Sequence, residues 1–169
     1  MVLIQVHQLK KSVGTRVILD ELSFDIHEGD KIGLVGWNGA GKTTLVKILM
    51  GLVAPDTGTV KKIPASLSIG YLPQSTEQLS FEGELNESGE TLLKSASQLG
   101  LSKLNWIDSE TKYLSGGEKL KLSLAKIWAN HSQCLLLDEP TNHLDSKGIN
   151  WLINEVKSYN ILKGKYFSY

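Results

Sequence analysis

The stretch GWNGAGKTT, Gly36 to Thr44, has the glycine spacing of a loop that wraps phosphate groups. Gly36, Asn38, Gly39, Ala40, Gly41, Lys42, Thr43 and Thr44 form the candidate nucleotide site: glycines turn backbone N–H groups inward, Lys42 reaches the β and γ oxygens, and Thr43 can hold Mg²⁺. A second signal is CLLLDEP, an apolar run ending in two adjacent acids. Phosphoryl transfer needs positioning and charge neutralisation more than covalent chemistry, so the acids divide the work: Asp138 completes a Mg²⁺ shell and Glu139 orients the attacking water. A third is LSGGE, Leu114 to Glu118, where a serine, two glycines and a helix start make a second anion cradle in a chain that already has one.

The elements that must position these groups are legible around them. LSFDIHEGDKIGLVG reads as strand, turn at Gly29-Asp30, and strand into Gly36. KTTLVKILMG places Leu45, Ile48 and Leu49 on one helical face and stops at Gly51. A glycine-rich turn is the bland reading of Gly36–Thr44, and the agreement of strand, loop and helix disfavours it. APDTGTV has turn chemistry, LSIGYLPQ is a strand broken by Pro73, and ETLLKSASQLG is a short helix. KLKLSLAKIWA is amphipathic, and from about Ser146 a helix carries Ile149, Leu152, Ile153 and Val156.

The 169 residues, with 41% apolar and 21% charged residues, suit one domain with a real core. Lys plus Arg balance Asp plus Glu at 18 each, so no global field draws the chain to nucleic acid or anionic lipid. The start lacks the order of a signal peptide and no apolar run approaches the ~20 residues of a membrane span, so the expectation is a cytoplasmic chain with no membrane insertion. The single Cys134 excludes a disulfide framework and reads as a small buried thiol.

GWNGAGKTT, YLPQ, LSGGE, CLLLDEP and TNHLD, in that order, resemble the Walker A loop, Q-loop, signature, Walker B strand and D-loop of an ATP-binding-cassette nucleotide-binding domain. The resemblance covers residues 1–160. It implies an α/β P-loop NTPase fold of the ABC ATPase type, with an antiparallel β part at the N-terminus and a small helical subdomain within 75–114. It also implies ATP and Mg²⁺ as cofactors, with Gln74 sensing Mg²⁺ and the γ-phosphate, and with Gln74 and Glu139 as the catalytic residues. Ser115, Gly116, Gly117 and Glu118 would face the nucleotide of a second nucleotide-binding domain, and Asp145 would cross that interface. EPTNHLD followed by a helix is most similar to the ABC-F branch, whose members have no membrane part and act at the ribosome. The interval Ser75–Leu114 leaves no room for the arm some of them carry, which resembles the antibiotic-resistance members. An ATPase subunit of a membrane transporter and a non-catalytic, truncated remnant are the alternatives.

Two departures stand against the family pattern. Where the family places an aromatic to stack on adenine, this chain has Val13, with Arg16 as an alternative stacking plane. After INEVKSYN the family continues into a central strand and a switch histidine; here no histidine follows His143 and the chain reads ILKGKYFSY. Residues 161–169 are therefore expected to be a divergent or truncated tail, the last core strand missing or improvised beside CLLLD, and the isolated chain an impaired ATPase. His7, His27 and His131 read as structural or solvated, His143 as a loop-packing residue or a contact to the dimer partner, and Trp37 as exposed or locally packed.

Overall fold

The computed structural model of the chain describes residues 1–74, 89–101, 114–159 and 164–168. They belong to two compact units, one comprising Met1–Ile69 and Tyr159–Tyr169, the other Gly70–Ser158.

In the first unit, a segment rich in Val, Leu and Ile forms β1 (Val2–Val13), because such side chains fit a pleated, half-buried surface. A tight turn with Gly14 at φ 59° returns the chain as β2 (Arg16–His27), antiparallel to β1. The turn at Gly29, φ 78°, then leads into β3 (Lys31–Val35), and the phosphate-loop segment connects β3 to α1 (Lys42–Met50). Leu45, Val46, Ile48 and Leu49 are buried along α1. The helix stops at Gly51 in the left-handed conformation, where Gly51 N–H donates to the Ile48 carbonyl and Leu52 N–H to the Lys47 carbonyl.

Ala54–Val60, expected to be a turn, is largely a strand. β4 (Thr57–Lys62) pairs antiparallel with β1, giving the sheet order β2-β1-β4. Turn-forming residues are overruled here because Asp56 docks on the open edge of β1: its N–H donates to the Lys10 carbonyl, and its carboxylate accepts from Lys11 Nζ at 2.8 Å and Ser12 N–H at 2.7 Å. The register slips between His7 and Lys10. Gln8, at φ 45°, bulges out of β1 with its N–H donated to Ser23 Oγ, and Gly58, at φ 86°, lies against it.

A Cβ on Gly58 would run into the Gln8 carbonyl oxygen and stand 2.6 Å from that of His7, both backbone atoms that cannot swing aside. Gly58→Ala is expected to destabilise the chain by about 2–5 kcal/mol, the sum of left-handed strain and overpacking. A fall in the denaturant midpoint with little change in slope checks this; an unchanged midpoint would sink it.

The tail forms β7 (Gly164–Ser168), parallel to β3 from Lys31↔Gly164 to Val35↔Ser168. Where the last core strand is expected to be missing or improvised beside Cys134–Asp138, the tail forms a strand whose sheet neighbour is β3 rather than β6. The open ladder of β3 accepts an extended segment, and Tyr166 and Phe167 have the β-propensity to supply one.

In the second unit, β5 (Ile69–Leu72) neighbours β6 (Cys134–Leu137), and their ladder extends past β6 where Asp138 N–H donates to the Leu72 carbonyl at 3.0 Å. Gly70 leaves room there for two side-chain methyls, since a Cβ would meet Leu135 Cδ2 at 2.8 Å and Ile127 Cγ2 at 2.9 Å and make them shift. α2 (Gly89–Gln98) packs on α3 (Gly116–Ala129), and α4 (Ser146–Ser158) joins them through Trp151. The Trp151 ring meets Trp128 edge-on at 5.3 Å, and its Nε1 donates to Gln98 Oε1 at 3.0 Å. Of the interval Ser75–Leu114 expected to be partly helical, α2 is the described helix; 75–88 and 102–113 lie outside the described residues.

Candidate functional site

The phosphate-loop segment has the conformation that its glycines permit. Gly39 stands at φ 80° and Gly41 at φ 94°, and the turn is closed by Ala40 N–H donating to the Trp37 carbonyl at 3.0 Å. Gly41 is the residue before α1, and a Cβ on it would come within 3.0 Å of the Ile18 carbonyl oxygen. Lys42 folds back over the loop, its Nζ donating to the carbonyls of Gly36 at 2.8 Å and Trp37 at 3.1 Å. Gly36, Ala40, Thr43 and Thr44 are half-buried, while Asn38 and Gly39 are exposed. Trp37 is 87% exposed, which decides between the two readings given for it. Val13 and Arg16 face each other across the end of the β1–β2 hairpin, both exposed, two to five residues from Ile18.

The acidic pair sits in the second unit, where backbone and side chains hold the two carboxylates in different states. Asp138 is buried, and its Oδ2 meets no hydrogen-bond donor among the described residues. An unpaired buried carboxylate oxygen is costly, and the charge of a divalent cation would offset that cost, so the residue fits the expected Mg²⁺. The hydroxyl of Tyr71 is likewise buried without a partner among the described residues; burial, and then the Asp138 charge, push its pKa up.

Glu139 lies in the left-handed region at φ 51°, an uncommon state for a residue that precedes a proline. The turn is closed by Asn142 N–H donating to the Glu139 carbonyl at 3.1 Å. Among the described residues the carboxylate is held at one oxygen: Oε2 accepts from Gln74 Nε2 at 3.0 Å and from Asn142 Nδ2 at 2.7 Å. The structure thus brings the two expected catalytic residues, Gln74 and Glu139, together. Asn142 is a partner that the residue pattern alone did not single out; the signal for it is an amide three residues after the acid across a Pro-containing turn.

The LSGGE segment differs from a vacant cradle. Ser115 is the N-cap of α3, and its own N–H and Oγ donate to Glu118 Oε2 at 2.8 and 2.6 Å, while Glu118 N–H donates back to Ser115 Oγ at 3.3 Å. A carboxylate from the chain itself occupies these donors. Ser115, first by its side chain and then by its backbone, holds the Glu118 carboxyl below the usual carboxylate range. Gly116 is open on its Cβ side, whereas a Cβ on Gly117 would stand 3.1 Å from the His143 carbonyl oxygen. Asp145 accepts from Lys121 Nζ and from Gly148 N–H, each at 2.8 Å, and both hold its carboxyl low, Lys121 more strongly.

An α/β fold with a glycine loop at a strand-to-helix junction and an acid pair at a strand end defines a nucleotide-binding ATPase domain. The family profile described as ABC transporter matches residues 19–142, and the chain belongs to that family. It is 34% identical to the energy-dependent translational throttle protein EttA of Haemophilus influenzae, over 92% of this chain and 30% of that protein. It is 36% identical to YheS of Escherichia coli K12, over 85% of this chain and 24% of that protein. The chain therefore spans less than a third of the length of these curated relatives. A solved structure described as the ATP binding subunit of an ABC transporter superposes with a TM-score of 0.76 at 21% identity, covering 98% of this chain and 79% of the other, a likeness of fold. No helix among the described residues is long and apolar enough to cross a membrane.

Proposed function

We propose that this chain is the ATP-binding and ATP-hydrolysing domain of an ABC-F type protein, cytoplasmic, acting at the ribosome as a translation or antibiotic-resistance factor, and paired with a second nucleotide-binding domain. Gly36, Asn38, Gly39, Ala40 and Gly41 present the loop backbone to the phosphates, Lys42 supplies charge, and Thr43 and Thr44 stand in the first turn of α1. Thr43, Asp138 and Gln74 would hold Mg²⁺, which when bound neutralises charge on the phosphate oxygens. Glu139 keeps Oε1 clear of described donors and can take a water proton there. Ser115, Gly116, Gly117 and Glu118 face the nucleotide of the second domain, and Asp145 crosses that interface.

The observation that carries the hydrolytic part is the one-sided hold on Glu139. The ribosomal part rests on the likeness to EttA, whose name states a translational role, and on EPTNHLD. The likeness of fold to a transporter's ATP-binding subunit favours the second reading, the ATPase of a membrane transporter. The two separate in one experiment: in extracts of cells expressing the Glu139→Gln chain with ATP present, the chain is expected to cosediment with ribosomes. Recovery with the membrane fraction instead would overturn the ribosomal reading in favour of the transporter.

A further inference from the structure

Lys121 is a residue that the ATPase reading leaves without a role, and its surroundings are unusual for a helix-surface lysine. It lies on α3, three residues from Glu118 and on the same face, and its side chain is only 16% exposed. Its Nζ reaches Asp145, 24 residues further on, at 2.8 Å. Asp145 is held in turn: Oδ1 accepts from Gly148 N–H, its carbonyl accepts from Ile149 N–H at 2.9 Å, and Oδ2 is the oxygen that Lys121 takes. One turn back along α3, Gly117 fits under the His143 carbonyl with 3.1 Å for any added Cβ. The signature end of α3 and residues 143–145 therefore meet at two places, one steric and one ionic. Lys121 stands between two acids, Glu118 on its own helix and Asp145 across from it; it is the main cause of the lowered Asp145 carboxyl pKa, while at Glu118 Ser115 is the main cause and the Lys121 charge a small addition.

We propose that Lys121 is a positioning residue: by holding Asp145 against the signature helix it presents Ser115, Gly116, Gly117 and Asp145 as one preformed surface to the nucleotide-loaded face of a second copy of this domain. This rests on the reading above that the signature and Asp145 face a second nucleotide-binding domain. A preformed surface matters because interface groups that must be ordered on docking subtract that ordering from affinity. The link is a cation on a largely covered stem, 16% exposed, which fixes where the 57% exposed Asp145 carboxylate is held.

The test is ATP-dependent self-association of the Glu139→Gln chain with Mg²⁺, followed by sedimentation velocity, with nucleotide binding and melting measured on the same samples. Lys121→Met keeps the packed stem and removes the charge. It is expected to raise the dimer dissociation constant on the order of tenfold or more, the scale on which misplaced polar groups act at interfaces. Nucleotide binding by the single chain should stay unchanged, and Lys121→Arg should restore association to within about threefold. A lysine that merely stabilised its own domain through a surface pair would shift the folding equilibrium by a factor of about five at most and leave association untouched. If Lys121→Met does not fold, Lys121→Gln replaces it. Association of the parent with no loss in the folded charge-removed variant overturns the proposal alone; a parent that fails to associate in ATP at any concentration overturns the two-copy reading and the proposal with it.

Discussion

Glu139→Gln is expected to lower the rate of phosphate release by about 10²–10⁴, the usual worth of a positioned general base, while leaving ATP affinity nearly unchanged. The geometry supports this split. Both donors on the carboxylate, Gln74 Nε2 and Asn142 Nδ2, go to Oε2, and an amide oxygen in the same place can accept from both, so the side chain keeps its position. The backbone at φ 51° is no worse for glutamine than for glutamate. What the substitution removes is the basic oxygen on the open side. A fall in kcat without a matching rise in KM is the signature of an interaction made in the transition state only. Single-turnover phosphate release, with binding followed separately by calorimetry, checks both halves. Turnover unchanged in the variant would show that Glu139 is not the base, and a large loss of affinity would show that its carboxylate binds the ground state.

The phosphate loop was legible in the residues because its conformation is local: a strand of residue types suited to burial, glycines where positive φ is needed, and a helix that stops at Gly51. The same holds for α4 and for the start of α3, where Ser115 and Glu118 have capping spacing. That spacing also carried a message that the anion-cradle reading passed over, since a glutamate three residues after a cap serine fills the cap's donors itself. What was not legible depends on contacts between distant segments. Ala54–Val60 has turn chemistry, yet from Thr57 on it becomes a strand because β1 offers an unpaired edge and Asp56 anchors there. The bulge at Gln8 exists only where Gly58 lies against it. Gln74 and Glu139 are 65 positions apart and Lys121 and Asp145 are 24 apart, so each pairing needed the fold before it could be drawn. The tail strand is a further case: Gly164–Ser168 reads as divergent against the family pattern, yet its pairing depends on backbone groups that β3 leaves open rather than on matching residues.

Lys42→Ala is expected to weaken ATP binding by about 10²-fold or more. Hydrogen bonds to charged groups contribute about 1.5–3 kcal/mol each, and a lysine spanning two phosphate oxygens makes at least two of them, with 1.4 kcal/mol equal to a factor of ten. In the structure the ammonium group is satisfied by neutral acceptors, the carbonyls of Gly36 and Trp37, at 2.8 and 3.1 Å. Exchanging neutral carbonyls for anionic oxygens is favourable for a cation, so the lysine is poised to leave them when phosphates arrive. Alanine forfeits that exchange, and the loop keeps its shape through the Ala40 N–H to Trp37 carbonyl bond and the φ values of Gly39 and Gly41. The loss should therefore appear in binding rather than in melting. Trp37, 87% exposed and inside the loop, supplies a local reporter: its emission is expected to respond to ATP with Mg²⁺ in the parent chain and to stay flat in Lys42→Ala. Calorimetric titration gives the affinities. Equal affinity in parent and variant would remove Lys42 from the site, and a response in Lys42→Ala at the parent's nucleotide concentration would do the same.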